Sequence, residues 1–148
     1  MYTLKIIKIL ITGVVIFLCI TCKKEPSENF PNVWVSLSVN LISNPIPVGT
    51  PVICPNSANQ GAAGKGIILY TADGTNYLAF SALCTYYPKD TSAITINGFE
   101  GQCPKCKSIF NLIDGSVLHG PAQYPLKQYS VLLDGNTLLI QNWINGTS

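Results

Sequence analysis

The chain contains no arginine: its nine basic residues are all lysines, set against seven aspartates and glutamates in 148 residues. Charged residues make up only 11% of the sequence and form no basic stripe, so the electrostatic footprint of a nucleic-acid-binding protein is missing. Histidine occurs once, as His119. Nothing around it marks a nucleophile, and no pair of carboxylates stands out, so hydrolytic chemistry of the Ser–His–Asp or two-carboxylate kind has no support. His119 reads as an exposed loop residue. Long apolar runs are missing too. The mostly apolar stretch from Ile9 to Ile20 has 12 residues, too few to span a bilayer. No stretch carries the 3.6-residue apolar period of an amphipathic helix.

What is present begins with a leader. Lys5 and Lys8 form a positive n-region ahead of the apolar run, which has the length of a signal-peptide h-region. It ends at Cys19-Ile20-Thr21-Cys22, which resembles a lipobox: residues 1–21 would be removed and the Cys22 thiol would carry the lipid. The start Cys22-Lys23-Lys24-Glu25 resembles lipoproteins of the Bacteroidetes group. Residues 22–31 are polar, contain Pro26 and Pro31 and lack periodicity, as a tether does. The expectation is a lipid-anchored protein of the cell envelope, at the outer membrane and facing the periplasm or the cell surface. Beyond the leader the chain has seven lysines against seven acids.

Residues 32–148 read as one all-β domain. Val33 to Leu41 alternates apolar with polar residues, which predicts a half-buried strand. Further strands are expected at Pro51–Cys54, Gly66–Thr71, Asn76–Leu83, Ala93–Ile96 and Ser108–Leu112. A last hairpin is expected from Gln128–Leu133 and Thr137–Gln141. Asp73-Gly74 and Asp134-Gly135, each between apolar runs, are hairpin turn signals, and Asp114 before Gly115 is a turn residue. Many short strands separated by Gly and Pro turns mean a sandwich or barrel. Trp34 and Trp143 are expected to pack against the domain. Asn145-Gly146-Thr147 matches a glycosylation sequon, read here as chance.

Six cysteines occur, of which Cys54, Cys84, Cys103 and Cys106 lie beyond the leader and lipid site. Four cysteines in an exported chain suggest disulfides, whereas Cys103-Pro104-Lys105-Cys106 is also a C-x-x-C loop of the kind that binds metals or does redox work. The surroundings of that loop are specific. Cys103-Pro104-Lys105-Cys106-Lys107-Ser108-Ile109-Phe110 is followed by Gly115-Ser116-Val117 and then by Gly120-Pro121-Ala122-Gln123-Tyr124-Pro125-Leu126. An earlier loop, Cys84-Thr85-Tyr86, ends 17 positions before Cys103. This series, from about Gly66 to Ile140, resembles the Rieske iron–sulfur domains, which carry C-x-H in one loop and C-P-x-H-G-S-x-F in a second, followed by G-x-V and G-P-A-x-x-P-L. The resemblance implies an antiparallel β-sandwich with a small cluster-binding subdomain, here Leu83 to Leu126. In it two hairpin loops pinch a 2Fe–2S cluster and the Gly120-Pro121-Ala122 loop covers it.

The departures from that pattern fall on the ligands. In the family two cysteines hold one iron and two histidines the other. Here Cys84 and Cys103 fill the cysteine positions, but Tyr86 and Cys106 stand where the histidines belong, and Lys107 replaces the glycine after the second. The extra cysteine pair found in many members is also missing, Lys89 and Lys105 standing in its place. The implied ligand set is Cys84, Cys103, Cys106 and Tyr86, with Cys54 as a substitute for the tyrosine, whose unperturbed pKa is about 10. The leader, without arginine, is not of the twin-arginine type that exports a folded protein with its cluster in place. Three outcomes stay open. The first is a 2Fe–2S cluster serving electron transfer with an envelope redox partner. The second is a cluster-free, disulfide-braced scaffold acting as a structural or interaction lipoprotein. The third is zinc or another ion on three thiolates. Thiol–disulfide exchange at Cys103 and Cys106, beside Lys105 and Lys107, is a further option.

Overall fold

The computed structural model describes residues 30–31, 33–86 and 92–142. The leader, Cys22, most of the tether, Lys89, Trp143 and the sequon lie outside the described residues. Among the described residues no helix is long and apolar enough to cross a membrane.

Ten strands run in chain order: β1 Ser36–Asn40, β2 Val52–Ile53, β3 Ile67–Thr71, β4 Tyr77–Ser81, β5 Thr95–Asn97, β6 Glu100–Gln102, β7 Ile109–Asn111, β8 Val117–His119, β9 Gln128–Asp134 and β10 Thr137–Gln141. The only helix among the described residues is a 3₁₀ turn at Ala62–Gly64. The all-β class is therefore as expected. Six strands form one antiparallel sheet in the order β1-β10-β9-β4-β3-β2, and β5-β6-β7-β8 form a separate four-stranded meander. The larger sheet is the base and the meander is the small subdomain.

Turn chemistry makes the hairpins. Gly74 adopts φ +76°, and the Asp73 carboxylate accepts the backbone N–H groups of Thr75 at 2.8 Å and Asn76 at 2.7 Å, so β3 and β4 meet in the register Thr71 to Tyr77. At Asp114 the carboxylate takes the Ser116 N–H at 2.9 Å, a turn role. The base is closed by β1 on β10, in the register Ser36 to Gln141. The Asn142 side chain receives the Val35 N–H at 2.9 Å across 107 positions of sequence.

The strand period divides β3 between two cores. Ile67 and Leu69 face the base core with Val35, Val39, Ala79, Tyr129, Leu138 and Ile140. Ile68 faces the other way and packs with Phe80, Ala82, Phe110, Leu112 and Leu126 under the subdomain. All five residues of β3 are buried, which explains its unbroken apolar run. Each fully buried aliphatic side chain contributes roughly 1.5–3 kcal/mol.

Three expectations change. Trp34 does not pack: it is 68% exposed, because the alternation that buries Val35 and Val39 sends Trp34, Ser36, Ser38 and Asn40 to the wet side. Glu100–Gln102 and Val117–His119 form strands not anticipated from sequence, each too short to show a period, and the second pairs with β7 through an irregular register. The first strand is shorter than expected, since its pairing with β10 runs only from Ser36 to Asn40.

Candidate metal centre

Two loops of the subdomain bring the cysteines together. Cys84 follows β4, just past the bridge between Leu83 and Ala93, and its N–H is held by the Ser92 carbonyl at 3.1 Å. Cys103 and Cys106 lie in the tight β6–β7 connection. That loop is closed by hydrogen bonds from Cys103 N–H to the Ser108 carbonyl (2.9 Å) and from Lys107 N–H to the Cys103 carbonyl (3.0 Å). Reversing the chain this sharply places Lys107 at φ +63°, in the left-handed region that disfavours residues with a Cβ. The Rieske pattern has glycine at that position.

The Sγ atoms of Cys84, Cys103 and Cys106 all lie within 4.8 Å of one another, and those of Cys84 and Cys106 are 3.5 Å apart. Cys84 and Cys103 are buried and Cys106 is half-buried. Cys54 does not join them. It follows β2 and is buried in the base core with Val35, Ile67 and Tyr129, so it cannot serve as the substitute ligand expected of it. Tyr86 ends the first loop with a side chain 36% exposed, and its backbone N–H donates to the Cys84 sulfur. His119 is exposed on β8 and is not part of the sulfur group.

The third loop is clamped by one hydroxyl from each cysteine loop. Ser108, fully buried, accepts the Ala122 N–H at 2.9 Å, and Thr85 donates to the Tyr124 carbonyl at 2.6 Å. The same Ser108 oxygen also accepts from the Cys106 thiol, 3.1 Å away. Gly120 and Pro121 are exposed and Ala122 is buried at the contact. The clamps Ser108 and Thr85 were not singled out from sequence as site residues. Their signals were a hydroxyl residue within two positions of a cysteine in each loop and, for Ser108, its match to the serine of the Rieske pattern.

The thiols are unequal. Burial pushes Cys84 up to about 12 against a hydrogen bond from the Tyr86 N–H, and the sulfurs of Cys103 and Cys106 add to the rise. At Cys106 burial also raises the thiol. It is outweighed by hydrogen bonds from the Ser108 hydroxyl and N–H and from the other two sulfurs, so this thiol sits below its ordinary value. Burial alone pushes Cys54 up to about 12. The half-buried Cys106 is thus more readily ionised than the buried Cys84.

A 2Fe–2S cluster in the Rieske arrangement would place Cys84 and Cys106 on different irons, which requires their sulfurs, in contact at 3.5 Å, to separate. The recess between the two loops is lined by Cys84, Ser92, Cys103, Lys105 and Cys106.

No family model and no curated protein matches the chain. Among solved structures it is similar to the ferredoxin of carbazole 1,9a-dioxygenase from Nocardioides aromaticivorans IC177, at 20% identity over 72% of this chain and 96% of that one, with a TM-score of 0.43. It is also similar to a ferredoxin of Sphingomonas yanoikuyae B1, at 22% identity over 66% and 89%, TM-score 0.44. A quaternary ammonium Rieske monooxygenase is similar at 13% identity over 78% of this chain and 33% of that one, TM-score 0.48. These likenesses are loose, and the chemistry assigned to this chain rests on its own residues.

Proposed function

We propose that this chain is a lipid-anchored metal-binding module of the cell envelope, with a Rieske-like domain that holds a thiolate metal centre at Cys84, Cys103 and Cys106. The observation that supports the centre is the convergence of three sulfurs from two loops within 4.8 Å, under a third loop clamped by Ser108 and Thr85. Soft sulfur ligands in such a group select thiophilic metals. Anchoring rests on the leader: Lys5, Lys8 and a 12-residue apolar run ending at a lipobox-like Cys22. The same pattern supports a place at the outer membrane, on its periplasmic or outward face.

Electron transfer to an envelope redox partner is what the Rieske resemblance implies. It would need a cluster held by Cys84 and Cys103 on one iron and by Cys106 with Tyr86 on the other, and the contact between Cys84 and Cys106 speaks against it. That same contact favours a second reading, a disulfide-braced scaffold without metal. From 3.5 Å the two sulfurs need only close to the S–S bond length of about 2.05 Å in an oxidising compartment.

The test is metal, acid-labile sulfide and free-thiol analysis of the full chain recovered from its native envelope. Bound metal that shields the three clustered thiols from alkylation is the expected result. No metal with two thiols missing would replace the centre by the braced scaffold. No metal with Cys54, Cys84, Cys103 and Cys106 all free would sink both readings.

A further inference from the structure

We infer that the centre takes a single zinc-class ion, bound by the thiolates of Cys84, Cys103 and Cys106 with its fourth position open on the Cys106 side. This rests on reading the site as a metal centre, and names the metal and the coordination. Zinc–sulfur bonds of about 2.3 Å at tetrahedral angles set sulfurs about 3.8 Å apart. The Cys84–Cys106 separation of 3.5 Å already suits that triangle. The other two separations, at most 4.8 Å, need close by no more than about 1 Å.

A cluster must bring two irons and two sulfides between these loops, whereas a single ion needs only the three sulfurs drawn together. A single ion takes the place of the three thiol protons, which leave to solvent as the metal–sulfur bonds form. Three thiolates on a divalent ion leave one negative charge. Hydrogen bonds that meet it are in place from the Tyr86 N–H to the Cys84 sulfur and from the Ser108 N–H to the Cys106 sulfur, and once the Cys106 proton leaves, the Ser108 hydroxyl 3.1 Å away can turn to donate. Such outer hydrogen bonds orient ligands and tune the metal. Access follows from exposure. Cys84 and Cys103 are buried and Cys106 is half-buried, so the ion enters, and its fourth ligand approaches, past Cys106.

Three protein ligands and one open position distinguish this centre from a closed structural zinc site. The ion is exchangeable, and a leader of the unfolded-export type is compatible with loading outside the membrane, since one ion binds without an assembly machinery.

The test is an anaerobic titration of the reduced full chain in detergent with cobalt(II), followed by zinc. The expected result is one cobalt per chain, with sulfur-to-metal charge-transfer bands and the visible bands of a tetrahedral ion, both abolished by one equivalent of zinc. Cys106→Ser, at the most exposed ligand, should weaken binding by more than the roughly 10–100-fold that loss of an outer partner costs. Cys54→Ser should leave binding unchanged. Far-ultraviolet circular dichroism of each metal-free variant checks its fold independently of metal. Two irons and two sulfides per chain in protein from iron-replete cells would overturn the single ion and leave the thiolate centre standing. Uptake of copper(I) without cobalt would overturn the tetrahedral assignment. Failure to bind cobalt, copper or iron while all three thiols stay reduced would overturn the centre itself.

Discussion

Ser108 joins the second cysteine loop to the covering loop, and Ser108→Ala isolates that link. The hydroxyl is fully buried, accepts the Ala122 N–H at 2.9 Å and lies 3.1 Å from the Cys106 sulfur. Alanine leaves the Ala122 N–H without its acceptor at a residue only 6% exposed, and a stranded buried donor costs about 1–3 kcal/mol. A loss of about 2 kcal/mol is expected. With a urea slope of about 2 kcal/mol/M it lowers the unfolding midpoint of the reduced, metal-free chain by about 1 M. The same substitution removes one of the hydrogen bonds that hold the Cys106 thiol below its ordinary value, so that thiol moves up and its thiolate fraction near neutral pH falls. Alkylation by iodoacetamide, with Cys106 followed by peptide mass mapping, should therefore slow at neutral pH and recover as pH rises. Cys54, in the base core away from the sulfur group, serves as the internal reference. A midpoint that does not move, together with an unchanged Cys106 rate profile, would refute the bridging role of Ser108.

Further outcomes concern Cys54, Lys107 and Gly101. Burial raises the Cys54 thiol from 9.0 to about 12, so the unfolded chain loses that proton first. The stabilising contribution is present below about pH 9 and is lost as pH rises toward 12. Urea midpoints of wild type and Cys54→Ala at pH 8 and pH 10 should show the stability gap narrowing by about 1.4 kcal/mol, and a gap constant with pH would contradict the buried, neutral thiol. Lys107 at φ +63° carries a left-handed cost. In thermal melts Lys107→Gly should gain up to about 1 kcal/mol, and Lys107→Val should lose about 1–2 kcal/mol; the reverse order would mean that the loop has another conformation. A Cβ on Gly101 would lie 2.5 Å from Ile94 Cγ2 and 2.7 Å from Leu112 Cδ2. Gly101→Ala should therefore cost about 1–3 kcal/mol in denaturant unfolding, and a neutral result would show that these side chains yield freely.

The parts of this molecule that local chemistry decides were legible in its sequence. Asp73-Gly74 and Asp134-Gly135 make their hairpins because the turn residues suffice, and the alternation of Val35 with Ser36 and Ser38 sets the buried face of β1. Cys103 and Cys106 share a loop in any fold, but their meeting with Cys84 became legible only through the longer Rieske pattern around them. What stayed hidden depends on packing between elements. Whether Cys54 faces the base core or the subdomain turns on which side of β3 the edge strand β2 presents, and no periodicity exists in two residues. The 3.5 Å between Cys84 and Cys106, on which the proposal of one ion draws, depends on how closely two loops approach. Ser108 and Thr85 act as clamps because β7 and the first loop aim them at the covering loop, and a lone hydroxyl residue in a sequence carries no such direction.

The pairing of β1 with β10 has a consequence for how the protein is made. The base sheet cannot close until its last strand exists, because β1 finds its partner only in Thr137–Gln141, and the Val35–Asn142 hydrogen bond joins residues 107 positions apart. Chain closure over such a span is slow, since its entropy cost precedes any reward from contacts. The meander β5 to β8 pairs only neighbours in sequence and can form while the rest of the chain is still arriving. In a chain that emerges unfolded, the pairing that shapes the Cys103–Cys106 loop is thus local, while the pairing that closes the base beneath it waits for the last strand.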